Sequence, residues 1–310
     1  MEIKIELVII GAGIGGVSAA VYAKRSGLDF IIFEPNAVGG QLLLMENIDN
    51  YVGLPLGTKG TDLAETLTNT LKDLDINIIK EEVIDFSIEN NIVQLKTNNN
   101  LYIAKSIIIA TGASFKKLNV KGEEVFSGKG VSYCAVCDGF FFRGKKVAVV
   151  GGGNTAVEEA LYLSEIADKV ILIHRRDELR ALDYLKSELF EKSNIEVMFN
   201  SNISEIKGND LLEELIVQNS LTGEAQSVQL QGLFIAVGIE PNTKIVKDIV
   251  NKDEGGFIIT DEQMRTNIKT IWACGDCRKR PLKQLITAAS EGATATIGVY
   301  KYLKGHYISS

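Results

Sequence analysis

Apolar and polar positions follow one plan that occurs twice along the chain. Residues 5–34 predict a strand (Ile5–Ile10), a glycine-rich turn, a helix over about Gly15–Ser26 and a second strand (Phe30–Glu34). Residues 147–176 repeat it with Val147–Val150, a glycine turn, a helix over about Thr155–Ile166 and Val170–His174. Each strand is a short continuous apolar run, as a strand buried on both faces requires. Between the copies, Ile78–Phe86, Ile92–Thr97 and Leu101–Ile109 alternate or run apolar and predict strands. Two polar stretches, Phe115–Gly130 and Glu240–Gly256, read as hinges. Beyond the second come a strand, Thr270–Cys274, and a helix over about Gln284–Leu303. A strand–helix–strand unit opened by a glycine turn binds a dinucleotide, so two such units imply two dinucleotide sites.

The first turn, Gly11-Ala12-Gly13-Ile14-Gly15-Gly16, fits G-x-G-x-x-G. Its glycines admit a pyrophosphate close to the backbone, and the following helix N-terminus offers free N–H groups and a positive dipole end. Glu34 closes the second strand, where a carboxylate bonds a ribose hydroxyl. That favours an unphosphorylated ribose, as in FAD or NAD. The second turn, Gly151-Gly152-Gly153-Asn154-Thr155-Ala156, fits G-x-G-x-x-A, but its second strand ends in His174-Arg175-Arg176, with Arg180 close behind. Guanidinium groups bind a 2′-phosphate that an acid would repel, so this site reads as NADP. A solvated basic cluster is the plainer alternative.

Composition narrows the picture further. The 310 residues are 45% hydrophobic and 24% charged, with net charge −7. No basic tract favours nucleic acid or a polybasic membrane anchor. The apolar run Leu7–Ala23 is preceded by Glu2 and Glu6 rather than a basic region, so it reads as fold and not as a signal segment. The expected location is therefore the cytoplasm.

Four cysteines fall in two Cys-x-x-Cys pairs, Cys134/Cys137 and Cys274/Cys277. In a reducing compartment such pairs suggest redox or metal chemistry. Cys134-Ala135-Val136-Cys137 precedes Asp138-Gly139, and an adjacent acid can move protons if suitably tuned. Inert buried cysteines and a four-cysteine zinc site remain alternatives, though the pairs lie too far apart for a zinc ribbon. There are two histidines, His174 in the basic cluster and His306 near the end of the chain. Neither is an easy catalytic base, which leaves Asp138 as the better candidate.

At these residues the chain resembles the low-molecular-weight thioredoxin reductase family. The matching pieces are GAGIGG at 11–16, GGQL at 39–42, ATGA at 110–113, CAVCDG at 134–139, GGGNTAVEEA at 151–160, HRRDELRA at 174–181, CGD at 274–276 and KQLITAASEGA at 283–293. The resemblance covers essentially the whole chain. It implies an α/β fold of two Rossmann-like domains of the three-layer ββα type. An NADPH domain, 115–244, would be inserted into an FAD domain, 1–114 and 245–310.

The resemblance further implies that Cys134 attacks oxidised thioredoxin, Cys137 faces the flavin and Asp138 is the acid–base group. FAD would be held by Gly11, Gly13, Ile14, Gly15, Gly16, Glu34, Gly40, Gln41, Asn50, Val83, Thr111, Gly112, Gly275, Asp276 and Gln284. NADPH would be held by Gly151, Gly153, Asn154, Thr155, Ala156, His174, Arg175, Arg176, Arg180 and Gly238. The protein would be a homodimer whose domains rotate against each other, acting on thioredoxin or a thioredoxin-like protein with no metal. Three positions depart from the family pattern: Cys277 after Gly275-Asp276, Lys283 before Gln284, and the apolar run Leu42-Leu43-Leu44-Met45. Cys277 raises the alternatives of a second thiol pair with Cys274 or of two small buried residues. A ferredoxin-dependent relative and a redox sensor without turnover are the competing functions.

Overall fold

The computed structural model describes residues 2–45 and 47–305. His306, weighed above as a base, lies outside them. The chain forms two compact units, one of residues 1–114 and 240–310 and one of residues 115–239. It crosses between them twice, through segments that pair as a two-stranded ribbon, β7 (Ala113–Phe115) and β16 (Ile239–Pro241).

The first unit begins with β1 (Glu2–Ile10), α1 (Ile14–Arg25), β2 (Phe30–Phe33), α2 (Gly60–Asp73), β3 (Ile78–Ile79), β4 (Val83–Glu89), β5 (Ile92–Thr97) and β6 (Leu101–Ile109). The strands order as β3-β2-β1-β6-β5-β4, with β5 and β4 antiparallel to their neighbours and the rest parallel. The single strand expected over Ile78–Phe86 is in fact two, at opposite edges of this sheet. Lys80-Glu81-Glu82 interrupts the apolar pattern and lets the chain cross from one edge to the other.

The second unit contains β8 (Val131–Ser132), a one-turn helix α3 (Ala135–Asp138), β9 (Lys146–Val150), α4 (Asn154–Ser164), β10 (Lys169–Ile173), α5 (Asp183–Glu191), β11 (Ile195–Met198), β12 (Ser201–Gly208), β13 (Leu212–Asn219), β14 (Ala225–Gln229) and β15 (Gly232–Ile235). Five parallel strands order as β11-β10-β9-β15-β8. Strands β12-β13-β14 form a separate antiparallel sheet. One face of the parallel sheet, Val147, Val149, Val170 and Leu172, packs with Val157, Leu163, Leu185 and Leu189 of α4 and α5. The other, Ala148, Val150, Ile171 and Ile173, packs with Ile203, Leu215 and Val217 of the antiparallel sheet. The sheet is thus covered on both faces, which explains the unbroken apolar runs. Each such fully buried aliphatic side chain contributes about 1.5–3 kcal/mol.

The stretch Phe115–Gly130 is polar in sequence and mostly exposed, yet Glu123 and Phe126 anchor it in this unit. Glu123 is buried and accepts from the amides of Leu118 and Asn119 at 3.0 and 2.7 Å and from the Tyr133 hydroxyl at 2.8 Å.

The chain then returns to complete the first unit with β17 (Ile271–Ala273), parallel to β6, and α6 (Leu285–Leu303). Helix α6 lies along α1. A Cβ on Gly292 would sit 2.0 Å from the Gly15 carbonyl oxygen, and the Thr296 hydroxyl donates to the Ala19 carbonyl at 3.0 Å. Small residues on both helices make this close crossing possible. Around them Leu7, Ile9, Ile32 and Ile108 fill the helical face of the sheet, and Val8, Ile10, Phe33, Ile107 and Ile109 the opposite one. No helix among the described residues is long and apolar enough to cross a membrane.

Candidate active site

The first glycine turn joins β1 to α1. Gly11 has φ 104°, and a Cβ there would meet the Ala110 carbonyl oxygen at 2.4 Å, so only glycine fits. Gly13 caps α1 and has nothing within 4 Å of its Cβ position. The space beside it and the free N–H groups of Ile14, Gly15 and Gly16 suit a pyrophosphate. Glu34 stands at the same end of the sheet, its two oxygens accepting from the amides of Ala12 at 2.9 Å and Asn36 at 3.0 Å.

The structure brings further expected residues to this turn. Gly40 approaches Gly13, and Gln41 donates to the Ala113 carbonyl. Asn50 donates to Gln284 at 3.1 Å, and Gln284 caps α6. Asn242 clamps Thr111 and Gly112: its amide donates to Gly112 O at 3.0 Å, its side chain to Thr111 O at 3.0 Å, and its carbonyl accepts from the Thr111 hydroxyl at 2.7 Å. Gly275 donates to Glu291 at 2.8 Å, while Asp276 pairs with Arg280, itself 3.2 Å from Glu291. Val83 stands apart from this set. It starts β4 at the sheet edge, with its side chain in the core beside Phe86 and Leu95, and has only backbone to offer a ligand. The open glycine turn and the acid beside it fit FAD.

In the second unit Gly151 needs its glycine, since a Cβ would meet the Ala236 carbonyl oxygen at 2.4 Å. Gly153 caps α4 with open space around it, and Asn154, Thr155 and Ala156 form its first turn. Asn154 accepts from the Leu182 amide at 3.0 Å, and the Arg180 amide donates to Gly152 O at 2.7 Å, tying the arginine loop to the glycine turn. Arg175, Arg176 and Arg180 are exposed. Arg176, Arg180 and Lys186 line an open pocket of about 400 Å³ together with the acids Asp177 and Glu178 and the apolar Leu179 and Ala181. Gly238, at φ 117°, accepts from the Lys116 amide at 3.0 Å.

His174 is a different matter. Its ring is buried behind Gly152 and bonds the Glu178 carbonyl at 3.0 Å. Burial pulls its pKa down, so at neutral pH it shapes the loop without adding charge to the arginine cluster. Lys186 comes from α5 and was not foreseen, because nothing local in sequence ties it to the glycine turn. It is paired with Asp183 at 2.7 Å and Glu178 at 3.5 Å.

Cys134 and Cys137 form a disulfide, with Cα atoms 5.3 Å apart. Cys134 caps α3, and its sulfur accepts from the Cys137 amide at 3.2 Å. Both cysteines are half-buried, while Val136, Phe140 and Phe141 beside them are exposed. Asp138 ends the same turn, its amide donating to Cys134 O at 3.1 Å. Two neighbours escaped the sequence reading. Ser132 donates to Asp138 at 2.5 Å and accepts from the Cys134 amide at 3.1 Å. Glu159, on α4, accepts from the Ala135 amide at 3.4 Å. Ser132 is two residues from the motif and carries no signal of its own; Glu159 sits inside GGGNTAVEEA, where it reads as a helix-surface acid.

Cys274 and Cys277 are fully buried free thiols. Burial raises both pKa values, that of Cys277 to about 11, and the Cys277 thiol lies 3.3 Å from Cys274 O and 3.4 Å from Ile109 O. They are packing residues in this form of the protein, not a second disulfide. Among the described residues no cluster of His, Cys, Asp and Glu could hold a metal ion.

Residues 5–292 match the family described as pyridine nucleotide-disulphide oxidoreductase. A protein of Peptoclostridium acidaminophilum named thioredoxin reductase is 37% identical over 99% of each chain. Among solved structures, a thioredoxin reductase of Streptococcus pyogenes superposes with TM-score 0.94 at 42% identity, covering 97% of this chain and 99% of that one. A ferredoxin-flavin thioredoxin reductase of Clostridium acetobutylicum superposes with TM-score 0.55 at 28% identity, over 98% and 100%.

Proposed function

The chain belongs to the pyridine nucleotide-disulphide oxidoreductase family, and on that premise we propose that it is an NADPH-dependent thioredoxin-disulfide reductase. FAD is held at the first glycine turn and NADPH at the second. The observation that carries this reading is the half-buried Cys134–Cys137 disulfide at the start of a helical turn, in a chain with one acid-marked and one arginine-marked dinucleotide turn.

When bound, FAD supplies the chemistry that accepts a hydride and passes an electron pair on. The electron pair breaks the Cys134–Cys137 bond. The N-terminal position of Cys134 on α3 favours its thiolate, since helix N–H groups stabilise negative sulfur. Cys134 then attacks the disulfide of oxidised thioredoxin, and Cys137 resolves the mixed disulfide, restoring the motif and releasing reduced thioredoxin. Asp138, oriented by Ser132, takes and returns the proton. Val136, Phe140 and Phe141 offer the partner an apolar face beside the reacting sulfur. The arginine pocket favours a nucleotide with a 2′-phosphate. A cytoplasmic homodimer completes the reading.

The rival is a ferredoxin-dependent enzyme of related structure. Rapid mixing of the flavin-loaded protein with NADPH separates the two: fast bleaching followed by thioredoxin-dependent turnover is expected. Absence of bleaching favours the rival, and bleaching without thioredoxin reduction favours a redox sensor.

A further inference from the structure

One half-buried glutamate next to the disulfide has no part in the mechanism above. Glu159 projects from α4 toward α3, where its Oε1 accepts from the amide of Ala135, the residue after Cys134. Its Oε2 is buried and has no hydrogen-bond partner. A charged carboxylate in that setting is costly, whereas a neutral acid is less so.

The surroundings reinforce this. Burial drives the Glu159 pKa up to about 7; the Ala135 amide opposes the shift, and Asp138 and Glu158 add to it. Both charges bearing on Glu159 are thus negative, one from the motif turn and one from its own helix. The residues that β9, β10 and α5 bury against α4 are Val147, Val149, Val170, Leu172, Leu185 and Leu189, none of which titrates.

We propose that Glu159 is a positioning residue of the dithiol, its carboxyl alternating between neutral and charged and so setting how readily Cys134 becomes a thiolate. This rests on the reading of Cys134 and Cys137 as a working redox pair. When the S–S bond takes up an electron pair, two sulfur anions form; Cys137 takes a proton through Asp138, and Cys134 exchanges one with solvent. A neutral Glu159 leaves Cys134 to the stabilising N–H groups of α3. A charged Glu159 places a third negative group at the turn and favours the protonated thiol. The two ionisations oppose each other, so the thiol titrates in two macroscopic steps. The arrangement keeps Cys134 from becoming uniformly nucleophilic as the pH rises.

The test is the pH profile of iodoacetamide alkylation at Cys134, measured on flavin-loaded protein in a Cys137→Ser background. With Glu159 present, the rate should climb in two steps from about pH 5 to about pH 9. Glu159→Gln should collapse this to one step and raise the rate near pH 8 by about tenfold, as a coupling of about one pK unit or more requires. Glu159→Asp should keep the two-step form. A Gln profile that superimposes on the Glu profile would overturn the proposal. If the Gln variant does not fold, carboxyl NMR of wild-type protein labelled on glutamate side chains decides. One glutamate titrating near neutral pH, and shifting when the disulfide is reduced, is expected; no glutamate titrating above about pH 6 sinks the idea. Alkylation uses neither NADPH nor thioredoxin. An unchanged profile therefore counts against Glu159 alone, and failure to reduce thioredoxin counts against the reading beneath it.

Discussion

Ser132 and Asp138 are joined by a 2.5 Å hydrogen bond, while the same Ser132 hydroxyl accepts from the Cys134 amide at 3.1 Å. One buried serine therefore sets the position of both Cys134 and Asp138, the residues proposed as attacking thiol and acid. Ser132→Ala removes the donor to Asp138 and leaves the Cys134 amide without its acceptor. Hydrogen bonds to charged groups are worth about 1.5–3 kcal/mol. Steady-state assays should show thioredoxin turnover reduced about tenfold or more, with flavin reduction by NADPH nearly unchanged. Equal slowing of both steps would contradict the local role.

Gly152 and His174 make a second fixed pair. A Cβ on Gly152 would stand 2.1 Å from the imidazole, which is buried and held by Glu178. Gly152→Ala must displace the ring and the arginine loop with it, at a cost of about 1–3 kcal/mol for such overpacking. Denaturant unfolding followed by circular dichroism should show the loss. NADPH affinity should fall while FAD content stays normal.

Arg176 and Arg180 meet at one pocket although three residues separate them in sequence. Replacing both by Ala should raise the KM for NADPH about tenfold to a hundredfold, as loss of charged contacts of about 1.5–3 kcal/mol implies. The KM for NADH should move little. Parallel changes for both nucleotides would argue against a 2′-phosphate site.

Glu159 also makes a stability prediction. Its folded-state pKa, about 7, lies above its unfolded value of about 4.5, so the folded protein binds the proton more tightly. Its contribution is fully favourable below about pH 4.5 and is lost as the pH rises through about 7. Glu159→Gln removes that dependence. Unfolding free energies should show the variant more stable than wild type by about 1–3 kcal/mol at pH 8, the gap closing toward pH 5. A gap independent of pH would mean that Glu159 does not titrate in this range.

Thiol counting distinguishes the two cysteine pairs. After reduction, native protein should expose two rapidly reacting thiols, Cys134 and Cys137, and unfolding should release two more. Fast reaction of Cys277 in the native protein would contradict its burial.

Much of this was legible in the sequence because it is local. The glycine turns need specific residues at fixed spacing, and the strands around them are short apolar runs bounded by turns, so Gly11–Gly16 and Gly151–Ala156 can be placed without coordinates. Glu34 and Arg176 follow by their distance from those turns. What could not be read depends on contacts across the fold. Ser132 looks like any strand-end serine until the chain folds Asp138 back onto it. Lys186 reaches the arginine pocket from a helix with no motif of its own. His174 sits in a basic run, yet its ring turns inward, because side-chain direction at a strand end depends on what packs behind it. The run Ile78–Phe86 looked like one strand because hydrophobicity alone does not show which edge of a sheet a segment joins.

The pairing of β6 with β17 and of α1 with α6 carries a consequence for how the protein is made. Both partners lie beyond the inserted unit in the chain. During synthesis the inserted unit emerges whole and can fold, as domains do in order of appearance. The first glycine turn must meanwhile wait, its helix unsupported and the edge of its sheet unpaired, until the final helix leaves the ribosome. The nucleotide pocket encoded first is therefore completed last, and the nascent chain is most exposed to misassembly in that interval.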